Sequence, residues 1–168
     1  MTAGSNPTDR GKLGTKRHIL TDKKGIPLSA VISSASTHDI NFVTDVVDNT
    51  VVRRRPSSSH KSKLGTRGRL QHLCLDKAYH SEPEGQELNK RGYVLHIPQK
   101  RKRDETAETS YTQNQKRYPA GRWVVERTNS WHNRFRKLFT RYEKKVENYL
   151  GLVQLSSSII IYRKMILG

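Results

Sequence analysis

Apolar and polar positions repeat with two different periods along this chain, and the change of period marks its elements. Lys16 to Thr21 and Leu28 to Ser34 are short β-prone runs. Between them lies Asp22-Lys-Lys-Gly25-Ile-Pro27, whose glycine can take the positive φ of a tight turn, so a hairpin is predicted. Residues 1–15, with Gly4, Pro7, Gly11 and Gly14 among polar neighbours, read as an extended loop. Thr37-His38-Asp39 reads as a helix start capped by Asp39, with Phe42, Val43, Val46, Val47 and Thr50 following at helical spacing. Leu73-Cys-Leu-Asp76 is a short apolar run that ends on an acid, the pattern of a buried strand presenting Asp76 at its C-terminal edge. Ser81 then caps a helix with Pro83 in its first turn and Glu84 at the capping-box position, and Gly92 stops it. Tyr93 to Ile97 is the next strand. If it runs parallel to the Leu73 strand, the two make a right-handed βαβ unit.

The longest helical period runs from Arg122 to Arg141. Val124, Thr128, Trp131, Phe135 and Leu138 recur at alternating spacings of four and three and form its apolar face. Opposite them stand Arg122, Glu126, Asn129, Ser130, Asn133 and Lys137, with Glu126 the only acid of the stripe. Two readings are open on this pattern: a place where metal ions and phosphates meet, or an ordinary exposed ion pair with Arg122 one turn earlier. The ion pair is the commoner arrangement. Val146 to Ile166 closes the chain as a broad-faced, largely buried helix. Ser156-Ser-Ser158, Arg163 and Lys164 interrupt the apolar stretch around it, which makes it a core helix and not a membrane span. The order β-β-α-β-α-β-loop-α-α predicts an α/β sandwich with a mixed sheet, in one domain over residues 1–168.

Composition adds a partner to this outline. Lys plus Arg number 32 against 15 Asp plus Glu, a net charge of +17, which argues for a polyanion, nucleic acid first. Two basic loops, 53–70 and 99–119, concentrate that charge, and the first reads equally well as a phosphate-contacting arm or as a solvated linker. The single cysteine, Cys74, excludes an intrachain disulfide and a cysteine-built zinc site. The seven histidines show no paired ligand spacing and read mostly as surface or loop residues. The first residues carry no apolar signal region, so a soluble cytoplasmic protein is expected. Asp76 and Glu126 then stand out as hard oxygen donors of the kind magnesium takes one or two at a time. Asp9, Asp22, Asp39, Asp45, Glu143 and Glu147 read as turn or helix-surface acids. A basic RNA-binding protein would explain the charge and loops, but not an acid at a strand edge.

Asn6-Pro-Thr-Asp-Arg-Gly-Lys-Leu-Gly14, Lys16-Arg-His18, Gly25-Ile-Pro-Leu28, Leu75-Asp-Lys-Ala-Tyr79, Arg122-Trp-Val-Val-Glu-Arg-Thr128 and Trp131-His-Asn-Arg-Phe-Arg136 occur in that order. In these motifs the chain resembles DDE-type transposases of bacterial insertion sequences, the insertion sequence five group within the insertion sequence four set. The resemblance implies a ribonuclease H-like mixed sheet flanked by helices and a triad of carboxylates holding Mg²⁺ or Mn²⁺. It also implies DNA strand cleavage and transfer at the element's ends. It matches Asp76 to the second triad acid, Glu126 to the triad glutamate and Arg122 to the family's arginine before it. Arg127, Asn133, Arg134, Arg136 and Lys137 are the other expected DNA contacts, Asn133 standing where the family has Lys or Arg. The first triad Asp, on a central strand upstream of the Asp9-Arg-Gly-Lys12 segment, has no counterpart here, so the first strand is expected to be missing. The chain alone is then expected to be inactive, as a decayed fragment or the product of a split or frameshifted gene. A homodimer, or a complex with an upstream reading-frame product, is the expected assembly, near the nucleoid when bound to DNA. The alternative is a non-catalytic DNA-binding remnant that interferes with a full-length transposase.

The charge generates a direct expectation. Affinity for duplex DNA of arbitrary sequence should fall by roughly 10³-fold or more between 50 and 200 mM salt, because six or more neutralised phosphates release that many counterions. A binding isotherm that barely moves over this range contradicts it.

Overall fold

The computed structural model of the chain describes residues 4–6, 10–52, 71–76, 79, 81–97 and 122–167. The basic loops 53–70 and 99–119 lie outside the described residues. The elements in order are β1 (Gly4–Ser5), β2 (Leu13–Thr21), β3 (Pro27–Ser34), a 3₁₀ turn (Asp39–Phe42), α1 (Val43–Asp48), β4 (Gln71–Cys74), α2 (Glu82–Lys90), β5 (Tyr93–His96), α3 (Arg122–Asn133), α4 (Arg136–Phe139) and α5 (Val146–Met165). The chain divides into two compact units, Met1–Val52 with Trp123–Gly168, and Arg53–Arg122. It is mixed α/β as expected. Its antiparallel and parallel pairings form two small sheets among the described residues, where a single mixed sheet was predicted.

The first unit is built on the hairpin of β2 and β3, registered from Thr15↔Ser34 to Thr21↔Pro27. Gly25 closes it at φ +82°, where a side chain would be strained. Asp22 holds the turn, its Oδ1 accepting the backbone N–H groups of Lys24 and Ile26 at 2.8 and 2.7 Å. The N-terminal stretch read as loop contributes strand instead: β2 begins at Leu13, and Gly4 and Ser5 pair with Gly14 and Leu13. The predicted cap at Asp39 is also corrected. His38 is the N-cap, and Asp39 accepts the Lys16 ammonium at 2.9 Å, which leaves its carboxylate to an ion pair. α5 packs on β3 and α4, and the core gathers Ile32, Leu138, Tyr149 and Val153, flanked by Ala30, Phe135, Val146 and Leu150. α5 is not largely buried, however. Tyr149, Val153, Ser156 and Ile160 face the core, while Leu155 and Tyr162 remain exposed.

The predicted helix over Arg122–Arg141 is two helices. α3 closes after Asn133 through hydrogen bonds from the Arg134 and Phe135 N–H groups to the carbonyls three residues back, Trp131 and His132. Phe135 is extended (φ −85°, ψ 107°) and caps the short α4, whose Leu138 reaches the core. The bend lets Leu138 join the core while Thr128 and His132 are buried beneath α3.

The second unit is the expected parallel pair, Gln71↔Tyr93 to Cys74↔His96, with α2 packed on β5 and Leu88 buried. Gly92, at φ +83°, ends α2. The Ser81 hydroxyl bonds the Glu84 carboxylate, where the capping box predicts a bond to the backbone, and this contact holds the Glu84 carboxyl below its usual range. Of β4 only Leu73 is buried, so the strand is less enclosed than its apolar run predicts.

The histidines depart most from expectation: His18, His96 and His132 are buried. His18 stacks on Phe42 at 4.9 Å between ring centres and bonds Ser33 Oγ at 2.7 Å. His132 bonds Ser157 Oγ at 3.0 Å. Burial, and secondly the nearby Arg17 charge, push its imidazole down to about 4 from 6.5. Between those values the unfolded chain binds the proton more strongly, so stability from His132 is complete above about 6.5 and is lost as pH falls toward 4. Denaturant titrations from pH 7.5 to 4 should show a loss on the order of 3 kcal/mol from this group. His132→Gln should flatten the profile, and an unchanged profile in that variant refutes the assignment.

Candidate catalytic carboxylates and the helix that carries Glu126

Asp76 lies two residues beyond the C-terminal end of β4 and is exposed. The Leu75 N–H bonds the His96 carbonyl at 3.0 Å and extends the parallel pairing up to that point. The Asp76 carbonyl accepts the Tyr79 N–H at 3.0 Å and turns the chain away. A carboxylate at a strand's C-terminal edge thus stands where the apolar run predicts it.

Glu126 is placed by contacts made on the other side of its helix. Thr128 is fully buried, and its hydroxyl, 2.6 Å from the Gly25 carbonyl, donates to the hairpin turn. Two residues span 200° of a helix, so burying Thr128 turns Glu126 outward, and Glu126 is exposed. Arg127 donates to the Lys24 carbonyl at 2.6 Å, with its guanidinium 4.6 Å from the Trp123 ring centre and 5.1 Å from that of Trp131.

The remaining expected DNA contacts separate into two groups. Asn133 accepts a hydrogen bond from Arg17 at 2.6 Å. Arg134, Arg136 and Lys137 are exposed at the bend and on α4. The Arg122 side chain lies outside the described part of the structure. The structure therefore adds Arg17 to this surface. Its only sequence signal is the Lys16-Arg17-His18 motif on a strand, which does not point to a helix residue 116 positions away. Asp76 and Glu126 belong to different units. Among the described residues no three His, Cys, Asp or Glu side chains form a group able to hold a metal ion. Also among them, no helix is long and apolar enough to cross a membrane.

Residues 1–160 match the family model described as the transposase DDE domain, and the chain belongs to that family. The chemistry of the class is DNA transposition. A Burkholderia cepacia protein, named as a transposase for insertion sequence element IS402, is 30% identical over 162 residues, which cover 96% of this chain and 69% of that protein. No solved structure matches the chain.

The bond that orients α3 can be tested directly. Thr128→Val removes the donor to Gly25 while keeping the shape, and should destabilise the fold by about 1–3 kcal/mol in urea titration. Thr128→Ser should recover most of the loss. A Val variant as stable as the parent overturns the anchoring role.

Proposed function

We propose that this chain is the catalytic portion of an insertion-sequence transposase of the insertion sequence five group, with a ribonuclease H-like arrangement of its strands. Asp76 and Glu126 are two of its three acids. The observation that carries this reading is an exposed glutamate on a helix whose opposite face is pinned to the hairpin, within a chain of the transposase DDE domain family. Each of these exposed carboxylates, within its own unit, is a hard oxygen donor of the kind that Mg²⁺ or Mn²⁺ takes. When bound, a divalent ion supplies activation of a water or 3′-hydroxyl and stabilisation of the leaving oxygen. The chain's own part is to hold the two acids and to seat the DNA backbone on cations. Arg134, Arg136 and Lys137 suit that second role, being exposed within eleven residues of Glu126. Arg122, one turn before Glu126 in sequence, is proposed for the same role, and Arg127 braces the helix against the hairpin turn.

No residue here matches the family's first acid, and the 168 residues by themselves should therefore bind DNA without cleaving it. The test is incubation with supercoiled plasmid in Mg²⁺ or Mn²⁺, beside a mobility-shift titration. Expected are retarded complexes without nicking, unaltered in Asp76→Asn and Glu126→Gln. Replacing Arg134, Arg136 and Lys137 together by Ala should lower the salt slope of binding by about 3. Strong metal-dependent cleavage that disappears in Asp76→Ala would show that the triad is complete within this chain and was assigned wrongly.

A further inference from the structure

Trp123, in the first turn of α3, keeps 59% of its surface exposed, although tryptophan is on average a highly buried residue. It is not loose. The Arg127 guanidinium, one turn on, lies 4.6 Å from the centre of its ring, and Arg127 is itself tied to the Lys24 carbonyl at 2.6 Å. The same guanidinium is 5.1 Å from the Trp131 ring, and the Lys164 ammonium of α5 is 4.9 Å from that ring. Trp123 thus ends a ladder of alternating rings and cations whose inner rungs are fixed to the hairpin turn and to α5. With one face against Arg127 and most of the residue exposed, the other face of the indole is open to solvent.

We propose that this open face is a stacking platform for an unpaired base of bound DNA, beside Glu126. Three residues span 300° of a helix, so Trp123 stands 60° round from Glu126 and about 4.5 Å before it along the axis. Asn133, which holds the Arg17 guanidinium, is in line with Glu126 two turns on, and Arg134 follows it, exposed. The helix therefore offers a flat π-surface at one end and cations at the other, the two elements that hold a single strand by base and by backbone. Charge favours this partner over an apolar protein surface: with a net +17, an apolar partner would have to cover cations without neutralising them. Bases inside a duplex are covered by their neighbours on both faces, so only an unpaired base can lie on the indole. Because Arg127 already fixes the ring, little side-chain freedom is lost when a base arrives. Phosphate contacts by themselves favour the duplex, whose charge density is higher, so a stacking contribution is separable from them. The proposal rests on reading α3 as a DNA-facing helix.

Trp131→Phe leaves Trp123 as the remaining one of the chain's two tryptophans. In the absence of divalent metal, oligo(dT) of roughly 16 nucleotides should quench its fluorescence. A relaxed closed circular duplex, which offers no unpaired base, should bind and leave the emission nearly unchanged. In the parent chain, Trp123→Leu should weaken oligo(dT) binding by about 5- to 150-fold, the loss of one stacked base, and leave duplex affinity and its salt slope as they were. Trp123→Phe should recover most of that loss, and an unaltered melt of both variants checks that the fold is kept. Oligo(dT) binding with Trp123 unquenched overturns the proposal and leaves the DNA reading standing, as do equal losses on both DNAs in Trp123→Leu. Quenching by an RNA oligomer and not by DNA also overturns it. Failure to bind either DNA overturns the proposal and the DNA reading together.

Discussion

A buried hydroxyl anchors α3, the helix that carries Glu126. Thr128 donates to the Gly25 carbonyl inside the unit, and α3 cannot rotate without breaking that bond and leaving a buried carbonyl unpaired. Other contacts of the helix agree with this placement. His132, one turn on, shares the buried face and finds Ser157 on α5. Arg127, 100° round, folds back to the turn at Lys24 between two tryptophan rings. Glu126, 200° round the helix from Thr128, is left outward. The turn is matched to its partner: a methyl group on Gly25 would meet Thr128 Oγ1 at 3.0 Å and an Arg127 nitrogen at 3.1 Å, quite apart from the positive φ. Glycine is thus required twice over, for the backbone and for the approach of α3.

What the sequence made legible were the features decided locally. Gly25 and Gly92 announce a hairpin and a helix end because positive φ is a property of one residue and its neighbours. The outward position of Glu126 was readable for the same reason, since the period of a helix fixes which residues oppose each other. Features decided by distant partners were not readable. Asp39 has the chemistry of a cap and equally that of an ion-pair acceptor, and a lysine 23 positions away on β2 settles the choice. His132 counts as polar in any pattern, yet as a neutral imidazole with a serine partner it is fully buried. The break at Phe135 is hidden because Phe135 and Leu138 keep the helical spacing; only the position of the core shows that the chain must bend to bury them.

The candidate site divides along the same line. Asp76 at a strand edge was legible from an apolar run ending on an acid, although β4 itself stops at Cys74. The cations were not separable by sequence. Arg127 and Arg134 look alike along the chain, but one is bound to a backbone carbonyl within its unit while the other is exposed at the bend. Asn133, standing where the family has Lys or Arg, is held by Arg17 from β2, so that a positive charge reaches the end of α3 from another element.

The nature of the anchor matters in a chain with a net charge of +17. Self-repulsion weakens such a fold, and any polyanion that binds it competes for its cations. Had α3 been tied to the hairpin by ion pairs alone, phosphate ligands would draw on the same groups that hold Glu126 in place. The bonds that orient the helix are instead made to backbone carbonyls, from the Thr128 hydroxyl and from the Arg127 guanidinium, and His132 contributes as a neutral ring. Phosphate does not compete for the Thr128 hydroxyl or the neutral His132 ring, whereas it does compete for the Arg127 guanidinium. Under the proposed function, the Thr128 bond keeps the rotation of Glu126 independent of the exposed Arg134, Arg136 and Lys137, whichever partner those cations take.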